Sequence, residues 1–165
     1  MVKINKDKTK SESVLILYNI RSAYNVGALF RTADALGITK IYLIGYTPTP
    51  IDRFGKPRSD ISKSALGAEI SIPWESKKTI APLITRLKKE GFQTIAIEQD
   101  AKSVDYKKVK IQSRNAFIAG EEVKGIPKSI LEKCDIVAEI PMRGEKESLN
   151  VSVATGVALF RILDR

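Results

Sequence analysis

The chain has no histidine and a single cysteine, Cys134, among its 165 residues. Without histidine there is no Ser-His-Asp triad, and the common zinc sites lose their usual ligand. One cysteine cannot form an internal disulfide, and Cys134 opens an apolar stretch rather than a nucleophile loop, so a structural role in a reducing compartment is expected. No run approaches the ~20 continuous apolar residues of a membrane span. The opening "MVKINKDKTKSES" is charged and lacks the apolar segment of a secretory signal. A soluble, cytoplasmic protein without a membrane partner is expected. Aromatic residues make up only 7% of the chain, and no G-x-G-x-x-G or P-loop pattern follows the first apolar run "VLILY". A nicotinamide-dependent oxidoreductase is thereby disfavoured.

What the chain does have is positive charge and a core. Lysine and arginine outnumber acids by 28 to 19, for a net charge of +9 and a pI near 9.6. That balance favours a polyanionic partner, whether RNA, DNA or an anionic membrane surface, and charge alone does not choose among them. A hydrophobic content of 43% suits one domain with a buried interior. A flexible basic tail is expected over residues 1–12 and a single domain over 13–165.

Strand-like and helix-like stretches alternate. "VLILY" (14–18), "KIYLIG" (40–45), "FQTIAIE" (92–98), "NAFIAG" (115–120) and "DIVAEI" (135–140) are mostly apolar, as strands covered on both faces are. Ala23, Val26, Phe30 and Ala33 keep helical spacing up to Gly37. Ile80, Leu83, Ile84 and Leu87 form a second apolar stripe, with Thr79 as the expected N-cap and Gly91 as the stop. A last helix is expected from about Asn150 to Leu163. Residues 46–69, rich in proline and basic side chains, read as a long excursion with a short helix at "ISKSAL". The fold class is α/β, with a mostly parallel sheet flanked by helices.

Open sheets of this class bind ligands at the carboxyl ends of their strands. Two loops there, "AGEEVKG" (119–125) and "EIPMRGEKESLN" (139–150), are rich in glycine, proline and polar groups. Either alone reads as a turn or a helix cap, with Ser148 or Asn150 accepting from free backbone N–H groups. The early stretch "LYNIRSAYNVGALFRTADALG" (17–37) adds Asn19, Asn25, Gly27 and Arg31 in an otherwise apolar helix. The asparagines could cap that helix, although Asn25 lies deep for a cap.

Taken in order, Asn19, Asn25, Gly27 and Arg31, then Gly120, Glu122 and Gly125, then the run Ile140 to Ala154 with Ser148, Leu149 and Asn150, resemble the three signature motifs of the SpoU (TrmH-type) RNA ribose 2′-O-methyltransferases of the SPOUT superfamily. The resemblance spans about residues 13–163. It implies a C-terminal deep trefoil knot, a homodimer and S-adenosylmethionine as cofactor, with RNA as substrate, tRNA favoured and rRNA the alternative. With nothing preceding the first motif but the short tail, the chain resembles the short members of the family. By the same resemblance Arg31, Asn25, Glu122, Ser148 and Asn150 are the catalytic set. Ile97, Gly120, Ile140, Met142, Ser148 and Leu149 form the cofactor pocket.

Methyl transfer from a sulfonium to a ribose hydroxyl needs a positioned nucleophile and charge stabilisation, and no metal. Arg31 is therefore expected to grip phosphate and stabilise the developing alkoxide, with the missing side chain of Gly27 giving a nucleotide room to approach. Glu122 could instead pair with Lys124 or Arg143. Arg53, Lys56, Arg58 and Lys63 beside Phe54, together with Arg143 and Lys146, are the expected phosphate contacts. Lys102, Lys107, Lys108 and Lys110 read as a solvated face. A non-catalytic RNA-binding protein on the same fold remains the alternative in a different class.

Overall fold

The computed structural model of the chain describes residues 11–165. Most of the expected tail, residues 1–10, lies outside them. Seven strands, β1 (Glu12–Tyr18), β2 (Lys40–Ile44), β3 (Trp74–Lys77), β4 (Gln93–Ile97), β5 (Val104–Asp105), β6 (Arg114–Ala119) and β7 (Ile136–Glu139), form one sheet in the order β3-β2-β1-β6-β4-β7-β5. Every pairing is parallel. Successive side chains in a strand point to opposite faces. Leu15, Leu17, Ile41, Leu43, Ile95 and Phe117 accordingly enter one apolar cluster, and Val14, Ile16, Tyr42, Ile44, Ala96 and Ile118 enter the other. The inner strands therefore carry continuous rather than alternating apolar runs.

Helices α1 (Ala23–Leu36), α2 (Ser59–Ala65), α3 (Ala68–Ser71) and α6 (Val151–Ile162) supply the first cluster; α4 (Ala81–Lys89) and α5 (Lys128–Leu131) cover the second face. Two sequence expectations need correction. The N-cap of α4 is Ile80, without a side-chain bond, so Thr79 does not cap it. Its first turn instead uses Pro82, which needs no N–H partner there. The edge strands β3 and β5 were not expected. The polar β3 is held by Lys40 and Lys77, which pair with Glu75 at 2.8 and 2.6 Å and pull its carboxyl down to about 2. The Lys40 ammonium is raised in turn by Glu75.

Because all strands run parallel, the loops after β1, β2, β4, β6 and β7 leave from one edge of the sheet. Most of the candidate site residues sit in the loops at that edge, whereas Arg31 lies further along α1 and Lys63 within α2.

Candidate functional site

Between the ends of β4, β6 and β7 lies a cleft of about 210 Å³. Ile97, Gly120, Ile140, Met142, Ser148 and Leu149, the six expected cofactor residues, all line it. Its apolar walls are completed by Ala138, Val151 and Ala154, and its polar ones by Glu98, Gln99, Glu121, Glu122 and Thr155. The sequence reading missed Glu98, which sits where β4 ends in "AIEQD". The end of a parallel strand was the only signal pointing to it. Glu98 fastens the neighbouring loop: its Oε2 accepts from the Ile126 N–H at 3.0 Å and its Oε1 from the Gln99 N–H at 2.9 Å.

Glu122 is spoken for in a different way from either basic pairing considered for it. Its Oε2 accepts from the Arg21 N–H at 2.9 Å, and its Oε1 from the Ser22 N–H at 3.1 Å and the Asn25 Nδ2 at 3.0 Å. The first turn of α1 contains no acidic residue of its own. Glu122 supplies that negative charge from across the fold, where free N–H groups and the helix dipole favour it. Partial burial opposes ionisation, but the bonds from Arg21, Asn25 and Ser22 outweigh it and hold the carboxyl below its usual range.

The N-cap of α1 is Ser22, whose hydroxyl accepts from the Asn25 N–H at 3.2 Å, so neither Asn19 nor Asn25 caps the helix. Asn19 has a positive φ of 55° and accepts from the Tyr46 N–H at 3.3 Å, closing the turn after β2. Asn25 is buried inside the first turn of α1. Its carbonyl accepts from Asn150 Nδ2 at 3.3 Å, and Asn150 Oδ1 in turn caps α6 through the Ser152 N–H at 2.9 Å. Glu122, Asn25 and Asn150 thus form one chain of hydrogen bonds linking all three motifs. Ser148 lines the cleft but does not cap α6.

Gly27 does work other than that expected, and Gly120 does more than line the cleft. A side chain at Gly27 would collide with Ser64 Oγ and the Ile61 carbonyl of α2. The vacancy is filled by a neighbouring helix, and no nucleotide can use it. At Gly120 a side chain would strike Ile126 and the Gly125 backbone, so its smallness lets loop 120–126 fold back on itself beside the cleft.

Arg31 does not line the cleft. It is exposed on α1, in a second depression with Tyr24, Thr32, Lys63 and Phe160, and its side chain makes no hydrogen bond or ion pair among the described residues. Of the expected phosphate contacts, Arg53, Lys56, Lys63, Arg143 and Lys146 are exposed. Arg58 is less exposed, and both carboxylate oxygens of Asp60 engage its guanidinium, at 3.0 and 2.5 Å. Lys102, Lys107, Lys108 and Lys110 form the exposed surface expected of them. Cys134 is half-buried, and burial pushes its thiol up to about 11. Among the described residues, no three His, Cys, Asp or Glu side chains cluster as a metal would require.

The cleft combines apolar walls with carboxyl, amide and hydroxyl groups. Thr155, 1% exposed and on its wall, has a hydroxyl with no hydrogen-bond partner among the described residues. Glu98, Glu121 and Glu122 all accept hydrogen bonds from backbone N–H groups.

Residues 12–160 match the model of the SpoU rRNA Methylase family. The 23S rRNA (guanosine-2′-O-)-methyltransferase RlmB of Pseudomonas aeruginosa is 33% identical over 157 residues, which are 93% of this chain and 60% of that protein. The crystal structure of an AdoMet-bound rRNA methyltransferase from Sinorhizobium meliloti superposes with a TM-score of 0.80 at 28% identity, covering 93% of this chain and 56% of that one. The TrmH/SpoU tRNA modifying enzyme of A. aeolicus gives 0.81 at 26% identity, covering 93% and 75%. The chain therefore spans little more than half the length of the two rRNA enzymes.

Proposed function

This chain belongs to the SpoU rRNA Methylase family, and on that premise we propose that it methylates a ribose 2′-hydroxyl of structured RNA with S-adenosylmethionine as cofactor. The observation that carries the reading is the convergence of the six expected cofactor residues on one cleft, tied by Glu122, Asn25 and Asn150 to the helix that bears Arg31. The cofactor, when bound, supplies an electrophilic methyl group on a sulfonium.

The protein's own contribution is placement and charge. Gly120, Ile140 and Leu149 form the wall against which an adenine would lie, and the Thr155 hydroxyl offers it an unused donor and acceptor. Asn25 and Glu122 fix the start of α1, while Ser148 and Asn150 hold the opposite lip. Arg31 grips the RNA phosphate and stabilises the developing alkoxide with a guanidinium that cannot act as a literal base. A depressed Glu122 is likewise a weak base at neutral pH, so proton removal belongs to the assembled site.

The active form we propose is a homodimer. A cleft of about 210 Å³ falls below the ~300 Å³ at which ligand pockets usually begin, and Arg31 stands outside it on an exposed face. Val153, Val157 and Phe160 expose one stripe of α6 beside the exposed Tyr24, an apolar surface suited to a second copy that would bring Arg31 to the neighbouring cleft. The trefoil knot implied by the family belongs to the same reading. The RNA class favoured is tRNA, on the likeness to the A. aeolicus enzyme. The setting is the cytoplasm, and no helix among the described residues is long and apolar enough to cross a membrane. Mapping ribose methylation in cellular RNA with and without the protein tests the whole: loss of one 2′-O-methyl mark is expected, and an unchanged map would reject it.

A further inference from the structure

The loop between β2 and α2 holds something that phosphate neutralisation does not use. Phe54 is 71% exposed, and the Arg53 guanidinium lies 4.7 Å from its ring centroid. A solitary exposed aromatic is ordinary on a protein surface. This one is mounted on a fastened turn. Asp52 Oδ1 accepts from the Phe54 N–H at 2.8 Å and from the Lys56 N–H at 2.9 Å, while the Asp52 N–H donates to the Lys56 carbonyl at 2.8 Å. Ile51 and Pro57 close the base of the turn as an antiparallel bridge. A ring on so fixed a backbone has little freedom left to lose when something covers it.

Its position is equally specific. The loop leaves the sheet at the same edge as the cleft. Strands β2 and β6 flank β1, so about 10 Å separates their axes. The same segment continues into α2, which sets Lys63 beside Arg31. Lysines and arginines alone would hold paired and unpaired RNA alike, because they read only the backbone. An aromatic face adds a contact that only an unstacked base can accept, since bases inside a helix are already covered by their neighbours.

Building on the RNA methyl-transfer reading above, we propose that Phe54 stacks an unpaired nucleobase of the substrate, with Arg53 and Lys56 on the flanking phosphates. The protein then takes its target nucleotide from a loop or bulge and not from within a continuous duplex.

The test uses the full chain with saturating cofactor and two RNAs of equal length, a hairpin with an unpaired loop and a continuous duplex, followed by fluorescence anisotropy at fixed salt. Phe54→Ala should weaken hairpin binding about ten-fold and leave duplex binding within about two-fold, and Phe54→Trp should restore the hairpin. Lys56→Ala should weaken both alike and lower the salt slope by about one. Unchanged cofactor affinity in Phe54→Ala reports an intact fold. Equal loss of both RNAs, or no loss of either, overturns the stacking role. Absence of methyl transfer by the unaltered protein to any cellular RNA would remove the parent reading, whereas transfer without selective hairpin loss removes this inference alone.

Discussion

The side-chain amide of Asn25 donates to Glu122 Oε1 at 3.0 Å across 97 residues of chain. With the Arg21 and Ser22 N–H groups on the same carboxylate, this makes Glu122 the external cap of α1. Removing it by Glu122→Ala strands those donors, and a loss of about 1–3 kcal/mol in urea denaturation is expected. Glu122→Gln keeps an acceptor and should lose less. Unchanged stability in both variants would show that water replaces the carboxylate without penalty.

The same carboxyl sets a pH dependence. Its folded pKa is lowered, so ionised Glu122 stabilises the fold above the unfolded value of ~4.3, and that contribution is lost as pH falls through the folded value. The stability gap between the unaltered protein and Glu122→Gln should be full at pH ~6 and shrink steadily below ~4. A gap that stayed constant down to acid pH would contradict the assignment.

Gly27→Ala forces a methyl group into Ser64 and the Ile61 carbonyl. Separation of α1 from α2 should destabilise the domain by about 1–3 kcal/mol, the usual penalty for overpacking. Pairing it with Ser64→Gly relieves only the side-chain half of the clash. The double variant should therefore recover part of the loss in thermal melts, and full recovery would mean that the backbone contact is slack.

Arg31→Ala should cut methyl transfer to a modification-free tRNA pool by at least ~100-fold under single turnover, with cofactor affinity retained. Arg31→Lys keeps the charge but not the planar fork, and little rescue is expected. Near-normal transfer by Arg31→Ala would reject its role; equal loss of transfer and cofactor binding would mark it as structural.

Light scattering at micromolar concentration should return about twice the 18.3 kDa chain mass. Placing a charge on the exposed α6 stripe by Val157→Glu should shift the protein towards monomer and abolish transfer while leaving the fold intact. A fully active monomer would refute the dimer.

Much of this was legible in the sequence because the inner strands are buried on both faces: a run such as "VLILY" has no polar alternative to hide behind. The edge strands escaped notice for the converse reason. Trp74–Lys77 is polar and pairs on one side only, held by charges on Lys40 and Lys77 that no local pattern announces. The cleft residues were found through ordered motifs, but the groups that each one contacts come from parts of the chain distant in sequence. Gly27 looked like an opening until α2 filled it. Glu122, read as catalytic with an ion pair to Lys124 or Arg143 as the alternative, meets three N–H donors in place of either base. Glu98 had no motif, only a place at the end of a strand.

The sheet order also bears on how the chain is made. One edge of β1 pairs early with β2, but the other must wait for β6, whose Phe117 lies opposite Leu15. The amides of Arg21 and Ser22, just ahead of α1, wait equally long for Glu122. A chain growing from the ribosome therefore carries an open, apolar strand edge through the synthesis of α2, α3, α4 and β4, the kind of edge that invites wrong partners. Long-range parallel pairing of this sort closes slowly. β6, which leads into the Gly120–Gly125 side of the cleft, is thus also the strand that ends the vulnerable period of folding, so a chain cut short before β6 should aggregate and not accumulate as an inactive but folded half.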